Sequence, residues 1–419
     1  MMTLKIAVRS FLRHRRRSVL TASAVALGLA MLLVFVGIAD DTHARMAELG
    51  IRMGEGHVLV EAKNYLERRT LDDVVHGADE LARRLAKLPN VRTVAVRLRT
   101  SGLIAAGEHS APLVVAGVVP ARELEASDIS GERLRVLGTY LRPRAARSFE
   151  RAPADVYLGK SLAEKLAVAL GDRVVITVSP PGDAGPAAAA FIVRGIFRTG
   201  VEDLDGAYAE IPIDDARALL NLPDAATEIA LLSELVHTRE LTAAVRASLG
   251  GRPELVVLPW QEALRELFEA LELDNAGLYL MMAIVFLVVA VGIFNTVLMN
   301  VSERTREFGV MLALGTAESR LFGQIMAEAC VLAAVSIAFG LGIGLGLHAL
   351  VAAHGIDLTR FTGEIQIAGV AWSGRVYSKL ALGEVAAWSA GVALVVLASS
   401  LYPAWRVTRL EPVEAMHHV

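Results

Sequence analysis

Two acids and two arginines, Glu303, Arg304, Arg306 and Glu307, stand within five residues of one another, directly after a stretch (275–302) with no charged side chain. Groups of these types make ion pairs and charge-assisted hydrogen bonds. Set beside an apolar run, they point to a contact surface. The other chemically capable groups are weaker. "YLGKSLAEKL" (157–166) holds a Gly-Lys-Ser step, but a phosphate loop needs a glycine five residues before Gly159, where Ala154 stands. Gly159 therefore reads as a turn between a strand and a helix opening at Ser161, a candidate N-cap. His417 and His418 are a pair without a third ligand and define no metal site. Asp40 and Asp41 read as solvated acids, and no HExxH, GxSxG or CxxC occurs. No nucleophile, base and oxyanion donor assemble, so no catalytic residue and no metal ligand is assigned.

The elements that carry the charged segment follow from composition. The chain has 419 residues, 54% hydrophobic and 21% charged, with a mean hydropathy of +0.47. That apolar fraction exceeds a soluble chain's, and it is concentrated in four runs free of acids, lysine and arginine: 18–39, 275–302, 329–356 and 385–405. About 20 apolar residues cross a bilayer core as a helix, so each run predicts a span. Lys5, Arg9, Arg13, Arg15, Arg16 and Arg17 precede the first span with no acid among them. Basic flanks stay in the cytoplasm, which places the N-terminus, Arg304, Arg306, Arg320, Arg406 and Arg409 on that side. The first run is longer than a signal peptide's apolar core of about 7–15 residues and reads as an anchor. Net charge is −3, which gives no support to nucleic-acid binding. Cys330 falls within the third span, a small apolar residue expected to pack between helices.

Between the first two spans lies one large block. Alternating apolar and polar residues over 56–62, 91–107, 111–119, 172–179 and 189–200 predict strands. Helical spacing marks 72–88, 161–170, 214–222 and 240–250. The expected fold class is a membrane protein of four transmembrane α-helices with a large α+β extracytoplasmic domain between helices 1 and 2. The domain is expected as two small lobes, with a break near 142–153 or 179–187, where proline, glycine and charge cluster. Helical pattern over 259–277 runs into the second span without proline, as a stalk. In the third span Gly340, Gly342, Gly344 and Gly346 mark close helix packing or a subunit interface. Asn295 and Glu328 are polar groups placed at membrane depth, where such side chains are costly enough to suggest a site; the other reading of Glu328, at interface depth, is a carboxylate that reaches water or pairs with an arginine.

On a helix, 302–315 begins with Ser302 as N-cap, holds Glu303 and Glu307 where the dipole favours acids, and ends at Gly315. Phe308, Met311, Leu312 and Gly315 recur as one apolar stripe. Two readings stay open: an interfacial helix resting on lipid, or a knob for a groove in a cytoplasmic partner.

"NTVLMNVSERTREFGVMLALGT" (295–316) resembles the segment of ABC transporter permeases of the MacB/FtsX/Lol type in which a span runs into Glu-Arg-Thr-Arg-Glu-x-Gly. "GQIMAEACVLAAVSIAFGLGIGLGL" (323–347) resembles that family's next helix, with its early glutamate at Glu328. "YPAWRVTRLEPVEAMHH" (402–418) resembles its C-terminal end, with Pro403, Arg406, Pro412, Glu414 and Ala415 in the usual places. "VYLGKSLAEKLAVALGDRVVITV" (156–178) resembles a piece of its outer domain. The resemblance is tight over 290–350 and 401–416 and loose over 40–273.

The resemblance implies a layout: a basic cytoplasmic N-terminus 1–17, spans at 18–39, 274–301, 323–350 and 384–403, and a MacB-like periplasmic domain at 40–273. A coupling helix and connector would occupy 302–322, a short periplasmic loop 351–383, and a cytoplasmic C-terminus 404–419. It also implies that Glu303, Arg304, Arg306, Glu307, Phe308, Met311, Leu314 and Gly315 contact an ATPase, with Phe308 and Met311 as anchors buried in the partner. The chain itself would hold no cofactor; ATP and Mg would sit on the partner ATPase dimer. Efflux permeases of the family carry the ATPase ahead of the first span on the same chain. Here only 1–17 precede it, so a separate ATPase is expected, as in lipoprotein-releasing permeases. The implied work is mechanotransmission in the bacterial inner membrane: a second permease copy or paralogue completes the complex, and the outer domain releases a lipoprotein or another amphiphilic cargo. An adaptor-dependent efflux permease, with a periplasmic adaptor or chaperone, is the first alternative. An FtsX-like activator of a cell-wall hydrolase is the second, disfavoured by the length of the first outer loop.

Overall fold

The computed structural model describes residues 15–409, apart from 69, 143–152, 183–184, 358–364, 368–369 and 373–374. Lys5, Arg9, Arg13, Pro412, Glu414, Ala415 and the histidine pair therefore lie outside the described residues, as does most of the expected break at 142–153.

Four helices are long and apolar enough to cross a membrane. The first, α1 (Arg15–Gly50), is followed by β1 (Val58–Ala62), α2 (Ala78–Leu85), β2 (Thr93–Ala106), β3 (His109–Val118) and α3 (Pro120–Ala126). Next come β4 (Arg135–Gly138), β5 (Ala154–Gly159), α4 (Lys160–Lys165), β6 (Arg173–Val178) and β7 (Ala187–Phe197). The domain closes with β8 (Tyr208–Pro212), α5 (Ile213–Leu220), β9 (Glu228–Leu232), α6 (Thr238–Ser248) and β10 (Leu255–Pro259). Then α7 (Arg265–Glu303), α8 (Thr305–Ala313), α9 (Glu318–His354) and α10 (Leu382–Thr408) complete the chain. Two compact units result. One contains Ala44–Leu271; the other contains the helical residues up to His43 and from Glu272.

In the first unit the strands join in the order β10-β1-β9-β2-β3-β8-β5-β7-β4, with β6 bridging β2 and β7. Every residue of β1 is buried, as a central strand covered on both faces requires. Val58 and Val60 face the main core with Leu81, Leu85 and Val245 of α2 and α6, and Leu59 joins Ala95, Ala230 and Leu258 on the other face. Most expected strands match within two residues. The 72–88 helix does not begin until Ala78, because Gly77 adopts φ 67° and residues 75–76 pair as a short strand. The 161–170 helix stops at Lys165, since Ala167 turns into the left-handed region at φ 53°. Ser161 is not the N-cap; that position is Gly159, and the Ser161 hydroxyl donates instead to Glu202 at 3.3 Å.

In the helical unit, an apolar cluster joins Val25, Leu29, Leu32 and Leu33 of α1 with Met282 and Ile293 of α7, Leu332 of α9 and Val392 and Val396 of α10. The four glycines of α9 divide. A Cβ on Gly340 would lie 3.0 Å from the Ala26 carbonyl, and one on Gly344 3.0 Å from the Ala30 Cα, so these two bring α9 against α1. Gly342 and Gly346 meet nothing within 4 Å. Cys330 does not pack between helices but is exposed: α9 turns Ala329, Leu332, Ala333 and Ser336 inward, and the residue after Ala329 is rotated off that face. Gly340→Val and Gly344→Val should each cost about 1–3 kcal/mol through overpacking. Gly342→Val and Gly346→Val should leave the melting temperature of the purified chain in detergent unchanged.

Candidate functional site: an ion-paired elbow between the second and third long helices

The charged segment forms an elbow. α7 continues through Ser302, whose hydroxyl bonds back to the Leu298 carbonyl at 3.0 Å, so Ser302 is not a cap. The helix breaks at Arg304 (φ −106°, ψ 10°), which becomes the residue before α8. At the other end the Gly315 amide reaches the Leu312 carbonyl and the Thr316 amide the Met311 carbonyl, at 3.0 and 2.9 Å. With Gly315 at φ 86°, this is the left-handed glycine termination the sequence predicted.

One face of α8 is fixed to the bundle. Arg304 donates from Nη1 to Glu328 Oε1 of α9 at 2.8 Å and from Nε to Glu307 at 3.2 Å. Its guanidinium also lies 4.9 Å from the centroid of the Phe308 ring. Phe308, 1% exposed, is packed with Val301, Leu321, Ile325, Ala404 and Val407. The expectation that Phe308 is an anchor for a partner is therefore corrected: its own chain already covers it. Met311 and Leu312 are half-buried against the same cluster.

The opposite face is free of that packing. Glu303, Arg306, Glu307, Val310 and Leu314 are exposed, Leu314 by 81%, at the three- and four-residue steps that make one helix face. Glu303 also receives the Arg17 guanidinium of α1 at 3.1 Å. Glu328 is drawn to Asn300 (3.4 Å) rather than to Asn295, which is exposed on another side of α7. Thr21 and Thr296 bond at 3.1 Å between α1 and α7. Reading the sequence for isolated polar residues missed Thr296 and Asn300; their four-residue spacing on the side of Ile293 and Val297 is the clue that could have found them.

The large domain holds a second charged group that the sequence did not reveal. Arg97 of β2, fully buried, donates to Glu123 of α3 at 2.7 Å, to Glu228 of β9 at 3.3 Å, and to the Gly54 carbonyl. Arg99, two residues along, holds Glu55 at 2.9 Å and Glu228 at 3.0 Å. Nearby, Tyr140 donates to Glu210 at 2.6 Å inside an aromatic cluster with Tyr157, Phe197 and Tyr208. Burial, then the Glu123 charge, pushes the Glu210 carboxyl up to about 8. A folded pKa raised above 4.5 contributes stability that is complete below the unfolded value and is lost as pH rises through the folded one. The thermal transition of this domain should fall between pH 4.5 and about 8, and Glu210→Gln should flatten that fall. An unchanged slope in the variant would assign the pH dependence elsewhere.

Among the described residues no His, Cys, Asp and Glu side chains group to hold a metal ion. The geometry is that of a membrane-embedded bundle with a braced, half-exposed connector, joined to a large mixed α/β domain. The sequence is similar to those of known proteins. Residues 18–257 match the family described as the MacB-like periplasmic core domain, and residues 279–412 match the FtsX-like permease C-terminal. The chain is 22% identical, over 97% of both chains, to the lipoprotein-releasing system transmembrane protein LolC of Xylella fastidiosa. It is 28% identical to the macrolide export ATP-binding/permease protein MacB of Nitrobacter winogradskyi, over 62% of this chain and 38% of that one. The uncharacterized ABC transporter permease YknZ of Bacillus subtilis is 30% identical over 32% of this chain and 28% of its own length. The chain belongs to the FtsX-like permease family of ABC transporters, with a MacB-like periplasmic core domain.

Proposed function

We propose that this permease transmits motion from a separate ATPase dimer, docked on the exposed face of α8, to the periplasmic domain, and that the cargo is a lipoprotein or another amphiphile. The ATPase carries ATP and Mg; this chain supplies no catalytic group. The observation that carries the proposal is the division of α8. Phe308 and the Arg304–Glu328 pair tie it to the bundle, while Arg306, Glu307, Val310 and Leu314 face outward. A load on that face would pass into α7 and α9 through a buried contact. Both unit boundaries between the helices and the periplasmic domain fall inside helices, in α1 after His43 and in α7 after Leu271, which suits transmission through stalks. The LolC relative is matched over nearly its whole length, which favours lipoprotein release. A second reading, efflux of an amphiphile with a periplasmic adaptor, draws on the MacB-like core domain.

Arg306→Glu/Leu314→Ala should abolish co-purification of the ATPase while leaving melting unchanged, since both side chains are exposed; loss of an interface anchor typically costs about 2 kcal/mol or more. Phe308→Ala should instead destabilise the chain by about 3 kcal/mol through the cavity it leaves. Full ATPase recovery with the double variant would remove α8 as the docking site.

The proposed orientation puts both termini in the cytoplasm and Ser101 in the periplasm. An impermeant thiol reagent on spheroplasts of a Cys330→Ser background should label Ser101→Cys and spare Ser319→Cys. Labelling of Ser319→Cys would overturn it.

A further inference from the structure

Beside the elbow, α1, α7 and α9 enclose a cavity of about 70 Å³. Val297, Ile325, Ala329 and Leu332 are the apolar part of its lining. The rest of the lining is polar, with Arg17, Ser18, Thr21, Thr296, Asn300 and Glu328. Six hydrogen-bonding side chains converging at the end of apolar helices are costly unless something uses them. The internal bonds leave capacity. Thr296 gives its proton to the Gly292 carbonyl at 2.8 Å, so it is Thr21 that donates in the threonine pair, and Thr21 keeps its acceptor positions. Glu328 Oε1 takes Arg304 at 2.8 Å, whereas Oε2 has Asn300 only at 3.4 Å, and a carboxylate has about four lone-pair sites. Arg17, its side chain 34% exposed at the mouth, spends one donor on Glu303, out of the roughly five that a guanidinium carries.

We propose that this cavity binds the head group of an aminophospholipid from the adjoining leaflet, its ammonium donating to Glu328 Oε2 and its phosphate held at the mouth by Arg17. The charges decide the class. The lining carries one cation, Arg17, and one anion, Glu328, so it is neutral as a whole, with Arg17 the more exposed of the two (34% against 14%). That arrangement suits a zwitterion and opposes a net anion. A primary ammonium can donate to Glu328; a trimethylammonium cannot, and it is bulkier. The volume, about that of two water molecules, admits an aminoethyl group and leaves the phosphate outside. Val297, half-buried in the lining, would meet the acyl chains. The leaflet follows from the proposed orientation; the site does not depend on the ATPase.

The test is native mass spectrometry of the full chain in detergent, titrated with dilauroyl phosphatidylethanolamine, phosphatidylglycerol or phosphatidylcholine. One saturable phosphatidylethanolamine is expected, about tenfold or more tighter than either other lipid, as a charge-assisted hydrogen bond implies. Arg17→Gln and Glu328→Gln should each remove that preference. Because Glu328→Gln also alters the partner of Arg304, Ala329→Leu serves as an independent variant: it adds bulk to the lining, leaves every charge in place, and should remove binding as well. Glycerophosphoethanolamine, which has no acyl chains, should fail to compete. Equal binding of the three lipids, unchanged binding in Arg17→Gln and Ala329→Leu, or full competition by the soluble head group would overturn the proposal. ATPase recovery with the same variants reads the coupling proposal separately.

Discussion

The ion pair between Arg304 and Glu328 sets the geometry of the whole connector. A carboxylate near the end of an apolar helix is expensive without a partner, and removing one member of a buried pair strands the other. Arg304 must therefore face α9. The break in α7 falls at that residue, and the next turn carries Phe308 into the cluster formed with Ile325 and Val407. Once those two positions are fixed, helix periodicity leaves Arg306, Val310 and Leu314 no inward path. The outward face follows from the inward one.

The same economy governs the rest of the bundle. Hydrocarbon offers no hydrophobic drive to hold helices together, so close packing and polar contacts must do it. Gly340 and Gly344 bring α9 against α1, and the Thr21–Thr296 hydroxyl pair joins α1 to α7. The threonine pair lines the cavity beside the elbow, and the two glycines pack further along α1, on Ala26 and Ala30. That cavity has a mixed lining, apolar and polar, at the end of the bundle.

The periplasmic domain solves a different problem. Its strands β1 and β9 are buried along their whole length, and Arg97 must bring its own counterions with it into the interior. Glu123 and Glu228 arrive from a helix and from a neighbouring strand, so the network forms only when α3, β2 and β9 are all in place. Such a network favours one arrangement of the domain over near alternatives more than it adds net stability.

Four long apolar helices, a mixed α/β block between the first two, and a charged helix ending at a glycine were legible in the sequence, because hydropathy, strand alternation and the αL requirement at Gly315 are local properties. The Glu328 position stood out for the same reason: charge in an apolar helix is visible without a fold. Which face of 302–315 is free was not legible. The stripe of Phe308, Met311 and Leu312 reads identically whether it meets lipid, a partner or its own bundle, and only the approach of α9 and α10 decided for the bundle. The choice of Asn300 over Asn295, the outward turn of Cys330 and of two of the four glycines, and the partners of Arg97 share one cause. Each depends on helix rotation or strand order, and those are set by long-range packing that no short stretch of sequence contains.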